Sequence, residues 1–130
     1  MKTSILMVAV VGLLASGCAS TQTVKEAKGQ GVTYTYPFDY EAVYNATLAA
    51  AKFKNLEVVE QDKTRGQLIL SHGVTPLSWG ERIAVFVKPL SASRTEVEII
   101  SKPVLAPLNF PPDWQQILFN EIEVELQTGK

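Results

Sequence analysis

The fold is decided by residues 79–102, which read WGERIAVFVKPLSASRTEVEIISK. In the first half of this stretch, Ile83, Val85 and Val87 occupy every second position, which is the two-residue period of a β-strand. After a turn at residues 89–94, the alternation resumes through Val97. The connection is short enough for the two runs to pair antiparallel, so the stretch predicts a β-hairpin with one apolar face.

Two further extended runs precede the hairpin, at residues 56–61 and 67–72. Residues 62–66 between them have the composition of a turn. The four runs together predict an antiparallel meander with one dry face and one wet face. Residues 32–36 also alternate, and they predict a short additional strand that Pro37 ends.

One helix is predicted before the meander in the sequence and another after it. Asp39 is placed to cap the first helix, and Phe38 and Val43 have the spacing of a hydrophobic staple around that cap. Asp113 is placed to cap the second helix, although residues 121–126 alternate strictly and leave a strand as the alternative there. The predicted fold class is α+β: a helix, an antiparallel meander of about four strands, and a C-terminal helix packed on the sheet.

The first 17 residues have the organisation of a secretory signal peptide. Lys2 supplies a positive charge, residues 5–14 form an apolar run, and small residues follow as far as Gly17. The apolar run is too short to span a bilayer, because a spanning helix needs about 20 apolar residues. We therefore expect residues 1–17 to be removed from the mature protein.

Cys18 is the only cysteine of the chain, so no intramolecular disulfide can form. The stretch LASGC at residues 14–18 resembles the lipobox of bacterial prolipoproteins, with Ala15 three places before the cysteine. The resemblance implies cleavage by signal peptidase II, a diacylglyceryl group on the Cys18 sulfur, and often an acyl group such as palmitate on the new amine. Two or three acyl chains hold a protein on a membrane, whereas one chain binds only reversibly.

The residues after the cysteine are Ala19 and Ser20, with no aspartate. In double-membraned bacteria this resembles a lipoprotein sent to the outer membrane, where the domain would face the periplasm. The chain is thus expected to comprise a signal peptide (1–17), a lipidated N-terminus with a flexible tether (18–31), and a single α+β domain (32–130). The tether is predicted because residues 19–31 are small and polar without a sustained apolar period.

Composition and motifs argue against several classes of function. The net charge is −1 and no cluster of basic residues occurs, which is atypical of a nucleic-acid-binding protein. His72 is the only histidine and is expected at a strand end; no nucleophile elbow surrounds a serine, and no glycine-rich phosphate loop occurs. Glu121 and Glu125 are expected to form a solvated acidic face. We therefore expect no catalytic activity, no cofactor and no bound metal.

The first functional hypothesis is a non-enzymatic interaction domain of the cell envelope, held by its lipid anchor near an envelope protein partner. Residues 103–112 contain four prolines with apolar residues between them, and such a segment is either a loop that covers the core or a docking surface. The candidate partner contacts are Trp79, Leu105, Leu108 and Phe110.

The second hypothesis is a small apolar ligand bound in a cleft between the sheet and a helix. The expected lining residues are Tyr44, Trp79, Phe86 and Trp114. The order of elements also resembles the small helix-on-sheet domains of several envelope lipoproteins, including those of the outer-membrane-protein assembly machinery. That resemblance transfers no binding residue, and the sequence sets neither the partner nor the oligomeric state.

Overall fold

The computed structural model describes residues 20–77, 80–104 and 111–129. These ranges contain an α+β fold, which confirms the predicted class. In chain order the elements are α1 (Thr21–Glu26), β1 (Val32–Tyr36), α2 (Tyr40–Phe53), β2 (Glu57–Asp62), β3 (Gln67–His72), β4 (Glu81–Ser91), β5 (Arg94–Pro103) and α3 (Trp114–Thr128). None of the helices in these ranges is long and apolar enough to cross a membrane.

The sheet has five antiparallel strands in the order β1-β5-β4-β3-β2. Strands β2 to β5 form the predicted meander. Strand β1 adds to it by pairing with β5, in a register that runs from Val32 opposite Ile99 to Tyr36 opposite Thr95. The sheet therefore has one strand more than the meander, and β1 and β2 are its two edges.

The main core lies between one face of the sheet and the helices α2 and α3. The alternation in β4 places Ile83, Val85 and Val87 in this core, as predicted. Alanines on α2 bring that helix close to its neighbours, since a methyl side chain permits close approach. Tyr36 joins β1 to α3, because its buried hydroxyl donates to the carbonyl oxygen of Phe119 at 2.9 Å. Burial raises the pKa of this hydroxyl well above its ordinary value.

Both predicted helix caps are confirmed. The side chain of Asp39 accepts a hydrogen bond from the amide of Ala42 at 2.8 Å, and that of Asp113 accepts one from Gln116 at 3.1 Å. Residues 121–126 are helical, so the alternative of a strand at this position was wrong. Glu121 is also buried, within 3.5 Å of the Lys54 ammonium, which corrects the expectation that it belongs to a solvated acidic face.

The second face of the sheet is partly covered by α1, which corrects the expectation of a flexible tether at residues 20–31. The Ser20 side chain caps α1 by accepting from the amide of Thr23 at 3.2 Å. Val24 and Ala27 are buried in a second cluster, whose other members are Ile69, Ala84, Phe86 and Ile100. This face is therefore not simply wet, since it carries a small core of its own.

The segment after α1 is fixed to the sheet by a carboxylate. One oxygen of the Glu98 side chain accepts hydrogen bonds from the amides of Gly29 at 2.7 Å and Gly31 at 2.8 Å. Charge-assisted bonds of this kind are stronger than neutral ones. A Cβ atom added to Gly31 would lie 2.6 Å from the carbonyl oxygen of Ile99, so the close approach of this segment to β5 requires glycine.

Candidate functional site

The predicted lipidation site and the candidate partner contacts all lie outside the described residues. These residues are Cys18, Trp79, Leu105, Leu108 and Phe110. Two of the segments that contain them are residues 78–79 and 105–110, and the structure describes the residues on either side of each segment. The amide of Val104 donates to the carbonyl oxygen of Gly80 at 2.8 Å, so the chain leaves the described part at neighbouring points. We call this region, where β3 ends, β4 begins and β5 ends, the loop end of the sheet.

A buried polar cluster of Glu81, His72 and Trp114 lies at the loop end of the sheet. One Glu81 carboxylate oxygen, Oε1, is 2.7 Å from His72 Nδ1 and accepts a hydrogen bond from Trp114 Nε1 at 2.9 Å. Strand pairing places His72 directly opposite Glu81, and α3 begins at Trp114. Three elements therefore meet at one carboxylate, which is fully buried.

The cluster also orients the histidine ring. The separation of 2.7 Å between His72 Nδ1 and Glu81 Oε1 is a hydrogen-bond distance, so this contact fixes which ring nitrogen faces the carboxylate. The imidazole lies against the Trp114 indole, with ring centroids 4.8 Å apart, and its side chain is 20% exposed. The sequence predicted His72 at a strand end, but its two partners are 9 and 42 residues away and became visible only in the folded chain.

A histidine held by a carboxylate is also one part of a general-base arrangement. Such an arrangement also needs a nucleophile beside the histidine. Within residues 20–77, 80–104 and 111–129, no hydroxyl group hydrogen-bonds to His72. The same ranges contain no group of three or more side chains that could hold a metal ion. The observed contacts make the cluster a link between α3 and the sheet.

The loop between β3 and β4 adds two exposed apolar side chains to the loop end of the sheet. Val74 is 69% exposed and Leu77 is 67% exposed. The hydroxyl of Thr75 accepts from the amide of Leu77 at 3.2 Å, which shapes the turn that presents them. Sequence reasoning treated this loop as a connection only; the available signal was a pair of apolar residues beside Pro76 in a segment with no strand or helix period.

The cleft of the second hypothesis is not formed by the residues expected to line it. Tyr44 and Trp114 are buried in the main core, whereas Phe86 lies in the cluster under α1 on the opposite face of the sheet. The physical reason is the strand period, since Phe86 alternates with Val85 and must point the other way. Trp79, the fourth residue, lies outside the described residues.

Two clefts are found elsewhere, on either side of the last turns of α3. The larger has a volume of about 530 Å³ and lies between α2 and α3, with Ala42, Ala46, Ala49 and Leu126 in its wall. The smaller, of about 210 Å³, lies between α3 and β1 and is lined partly by Tyr34. Both are open to solvent and separate from the loop end of the sheet.

The comparisons with known proteins give a family and a fold. Residues 1–100 match the model of a family described as "Protein of unknown function (DUF3568)". No curated protein matches the sequence. Among solved structures, the crystal structure of Ara h 8.0201 superimposes with a TM-score of 0.51 at 10% sequence identity, over 75% of this chain and 96% of that chain. At this identity the likeness extends to the helix-on-sheet fold alone.

Proposed function

The chain belongs to the DUF3568 family of proteins of unknown function, and from that premise we propose that it is a lipid-anchored envelope protein whose domain binds another envelope protein without catalysing a reaction. The family description assigns no activity. The proposal therefore depends on the N-terminal sequence and on where the fold begins.

The observation that carries the proposal is the position of Ser20, the cap of α1, two residues after Cys18. Docking of Val24 and an ion pair of 2.7 Å between Lys25 and Glu60 hold α1 on the sheet. Two residues span at most about 7 Å, so acyl chains on Cys18 would hold the folded domain at the membrane surface. This arrangement suits a partner that is itself in or on the same membrane.

The anchor is tested by metabolic labelling with a fatty acid that carries a clickable group. We expect label on the parent chain and none on Cys18→Ser, with the variant released into the soluble fraction. The matched control adds Ser20→Cys to Cys18→Ser, which restores a thiol at the wrong distance from the lipobox. Label on this control, or a freely soluble parent with an unmodified thiol, would contradict the anchor.

The surface proposed for the partner is the loop end of the sheet. The exposed Val74 and Leu77 belong to it, and the segments with Trp79 and Leu105 adjoin it through Gly80 and Val104. An exposed apolar patch of this kind is typical of a protein-binding surface. The buried cluster at Glu81 would keep the base of this surface rigid.

The partner surface is tested with a photo-crosslinking residue placed at Leu77 or at Leu108 in membranes. We expect both positions to crosslink to the same envelope protein, and the crosslink to be lost with Cys18→Ser. Phe53 is the control, because it is 66% exposed but lies at the end of α2. Equal crosslinking from Phe53, or none from Leu77 and Leu108, would count against this surface.

A second candidate function is the binding of a small apolar ligand in the larger cleft between α2 and α3. Its volume of about 530 Å³ lies in the range of ligand pockets, and alanines and Leu126 form the apolar part of a wall that also contains Asn45 and Glu125. An environment-sensitive apolar dye should gain fluorescence with the parent chain and lose it with Ala49→Phe, which fills the cleft. Equal fluorescence with both chains would remove this candidate.

A further inference from the structure

The two edges of the sheet are built differently. The β2 edge carries Glu57, Glu60 and Asp62, has a register irregularity between Val58 and Glu60, and is tied to α1 through the Glu60–Lys25 ion pair. Charges and bulges of this kind protect an edge strand from pairing with another chain. The β2 edge is therefore protected.

The β1 edge has none of these protections. Its five residues, Val32–Tyr36, are uncharged, and all five pair with β5 in an unbroken register. Among the described residues, β5 is the only strand that pairs with β1. The outer side of β1 therefore offers unpaired backbone groups to an incoming strand.

Side chains at this edge are also incompletely covered. Val32 and Tyr34 are each 49% exposed, although they point to the same face as the buried Tyr36. The Tyr34 ring touches the rings of Tyr36 and Phe119, with centroids 4.8 Å and 6.0 Å apart, so one of its sides is already packed. A strand added to β1 would cover the other side.

We propose that β1 pairs antiparallel with β1 of a second copy of this chain, centred on Tyr34. In this register Val32 would face Tyr36, Thr33 would face Thr35, and Tyr34 would face its own copy, so apolar or aromatic residues meet each other and threonines meet threonines. No like charges meet in this pairing, and aromatic and threonine pairs across two strands are favourable. A second copy of β1 thus offers β1 a compatible residue at each of its five positions.

The pairing also agrees with the proposed anchor, on which this inference rests. Two adjacent antiparallel strands of one sheet are related by a two-fold axis perpendicular to the sheet, so each face of the sheet continues into the same face of the partner. Both α1 helices would therefore lie on one side of the combined sheet. Both lipid-bearing cysteines, two residues before the cap of α1, would then reach the same membrane.

The membrane supplies what a five-residue interface lacks. A contact of this size is weak between molecules free in solution, because typical stable interfaces bury about 1,600 Å² in total. Anchoring two copies in one leaflet raises their effective concentration and makes a weak contact sufficient. We therefore expect the pair to form in the membrane-bound protein.

Disulfide trapping in native membranes tests the pairing on the full chain. Residues directly opposite each other in an antiparallel pair have Cα atoms about 4.5 to 5.5 Å apart, which a disulfide can bridge. With Cys18 acylated, Tyr34→Cys introduces the only free thiol, and mild oxidation should give a species of twice the mass. Glu57→Cys, on the protected edge, is the matched control and should stay monomeric.

The register is tested by mixing copies. Thr33→Cys in one copy should crosslink to Thr35→Cys in a differently tagged copy several-fold more than either variant crosslinks to itself. Tyr34→Lys and Tyr34→Glu should each abolish co-purification of two tagged copies, since like charges would then meet. Expressing Tyr34→Lys together with Tyr34→Glu should restore it.

Two results would overturn the inference: dimer from Tyr34→Cys no more abundant than from Glu57→Cys, or a crosslink to a protein of different mass. Fatty-acid labelling of the same samples separates this failure from failure of the proposed function. A labelled Cys18 without dimer refutes the pairing alone. If the parent carries no label and the Tyr34→Cys dimer persists when Cys18→Ser is added, the pairing is supported and the anchor is refuted.

Discussion

Among the glycines that the structure describes, Gly66 has the least space for a side chain. It lies in the turn between β2 and β3 with a φ of +68°, and an added Cβ atom would be 2.1 Å from the carbonyl oxygen of Val87. Its own carbonyl accepts from the Val87 amide at 2.7 Å, so the turn is pinned against β4. Both the backbone conformation and the contact therefore require glycine.

We expect Gly66→Ala to lower the free energy of unfolding by about 2 to 4 kcal/mol, since left-handed backbone strain adds to overpacking. Urea unfolding followed by circular dichroism measures the change. Gly73→Ala is the matched control, because nothing lies within 4 Å of a Cβ atom at that glycine and its φ is not positive. A loss as large at Gly73 would show that the space at Gly66 is not the cause.

Tyr36 makes the free energy of unfolding depend on pH in the alkaline range. Burial raises the pKa of its hydroxyl above the ordinary value of 10.0, so above that pH the unfolded chain releases a proton that the folded chain retains. The contribution of the protonated Tyr36 hydroxyl to the free energy of unfolding is fully present below pH 10.0 and is lost as the pH rises further.

Tyr36→Phe should therefore flatten the fall in stability above pH 10, by up to about 1.4 kcal/mol per pH unit for one proton. At neutral pH the same variant should lose about 1 kcal/mol, because the hydrogen bond to Phe119 is gone. Urea unfolding at a series of pH values measures both effects. An unchanged slope above pH 10 would contradict the assignment to Tyr36.

Residues that act locally were predictable, and those that act across the fold were not. The caps at Asp39 and Asp113 were read correctly because a cap depends on amides two or three positions away. The contacts of Glu81 with His72 and Trp114 depend on strand register and helix docking, which no local pattern contains. The loop end of the sheet therefore could not be assembled from the sequence.

At the level of elements, α1 shows the limit of reading periodicity. It has six residues, and Val24 is its only buried side chain, so no apolar repeat can appear. From its composition alone this segment is predicted to be a tether, because the surface on which it packs belongs to the sheet and is absent from the local sequence. The small cluster around Ile69 and Phe86 is that surface.

Docking of α1 is tested with Val24→Lys. The charged side chain cannot be buried without cost, so we expect α1 to leave the sheet while the rest of the fold persists. Limited proteolysis with trypsin should then cut after Lys25 and Lys28 much faster than in the parent. Gln22→Lys, on the exposed side of the same helix, is the control and should not accelerate cleavage.

The other elements show which features of the fold a local sequence pattern can predict. The strand at residues 32–36 was predicted, but its partner β5 was not, since pairing between residues 59 to 67 positions apart leaves no local trace. Alternation at residues 121–126 pointed to a strand, yet the cap at Asp113 and the burial of Ile122 and Glu121 fit the helix that forms. Local caps outweighed a short alternating run.

For the whole molecule, the fold class was predictable and the route to function only in part. Hydrophobic alternation and short connections were enough for an α+β sheet with a closing helix. The proposed partner contacts lie in segments outside the described residues, and the closeness of Gly80 to Val104, which adjoin those segments in the chain, emerged only from the sheet.

The proposed attachment of the domain close to the membrane yields a prediction for the whole molecule. A flexible glycine-serine insert of about ten residues between Ala19 and Ser20 would lift α1 away from the lipid. A thiol from Gln22→Cys should then react faster with a bulky maleimide than it does without the insert. Glu123→Cys, on the exposed side of α3, is the control, and its rate should not change. Equal rates at Gln22 with and without the insert would contradict the short attachment.

If the chain is anchored as proposed, the two hydrogen bonds to Glu98 give it a defined response to mechanical load. Tension between the lipid and the domain would act first on α1 and on the amides of Gly29 and Gly31, before it reached the strand pairs. Once these contacts break, the 12 residues from 20 to 31 would be free to extend to a length of up to about 40 Å. Pulling on the N-terminus of a single molecule should therefore show one short, low-force extension ahead of the opening of the sheet.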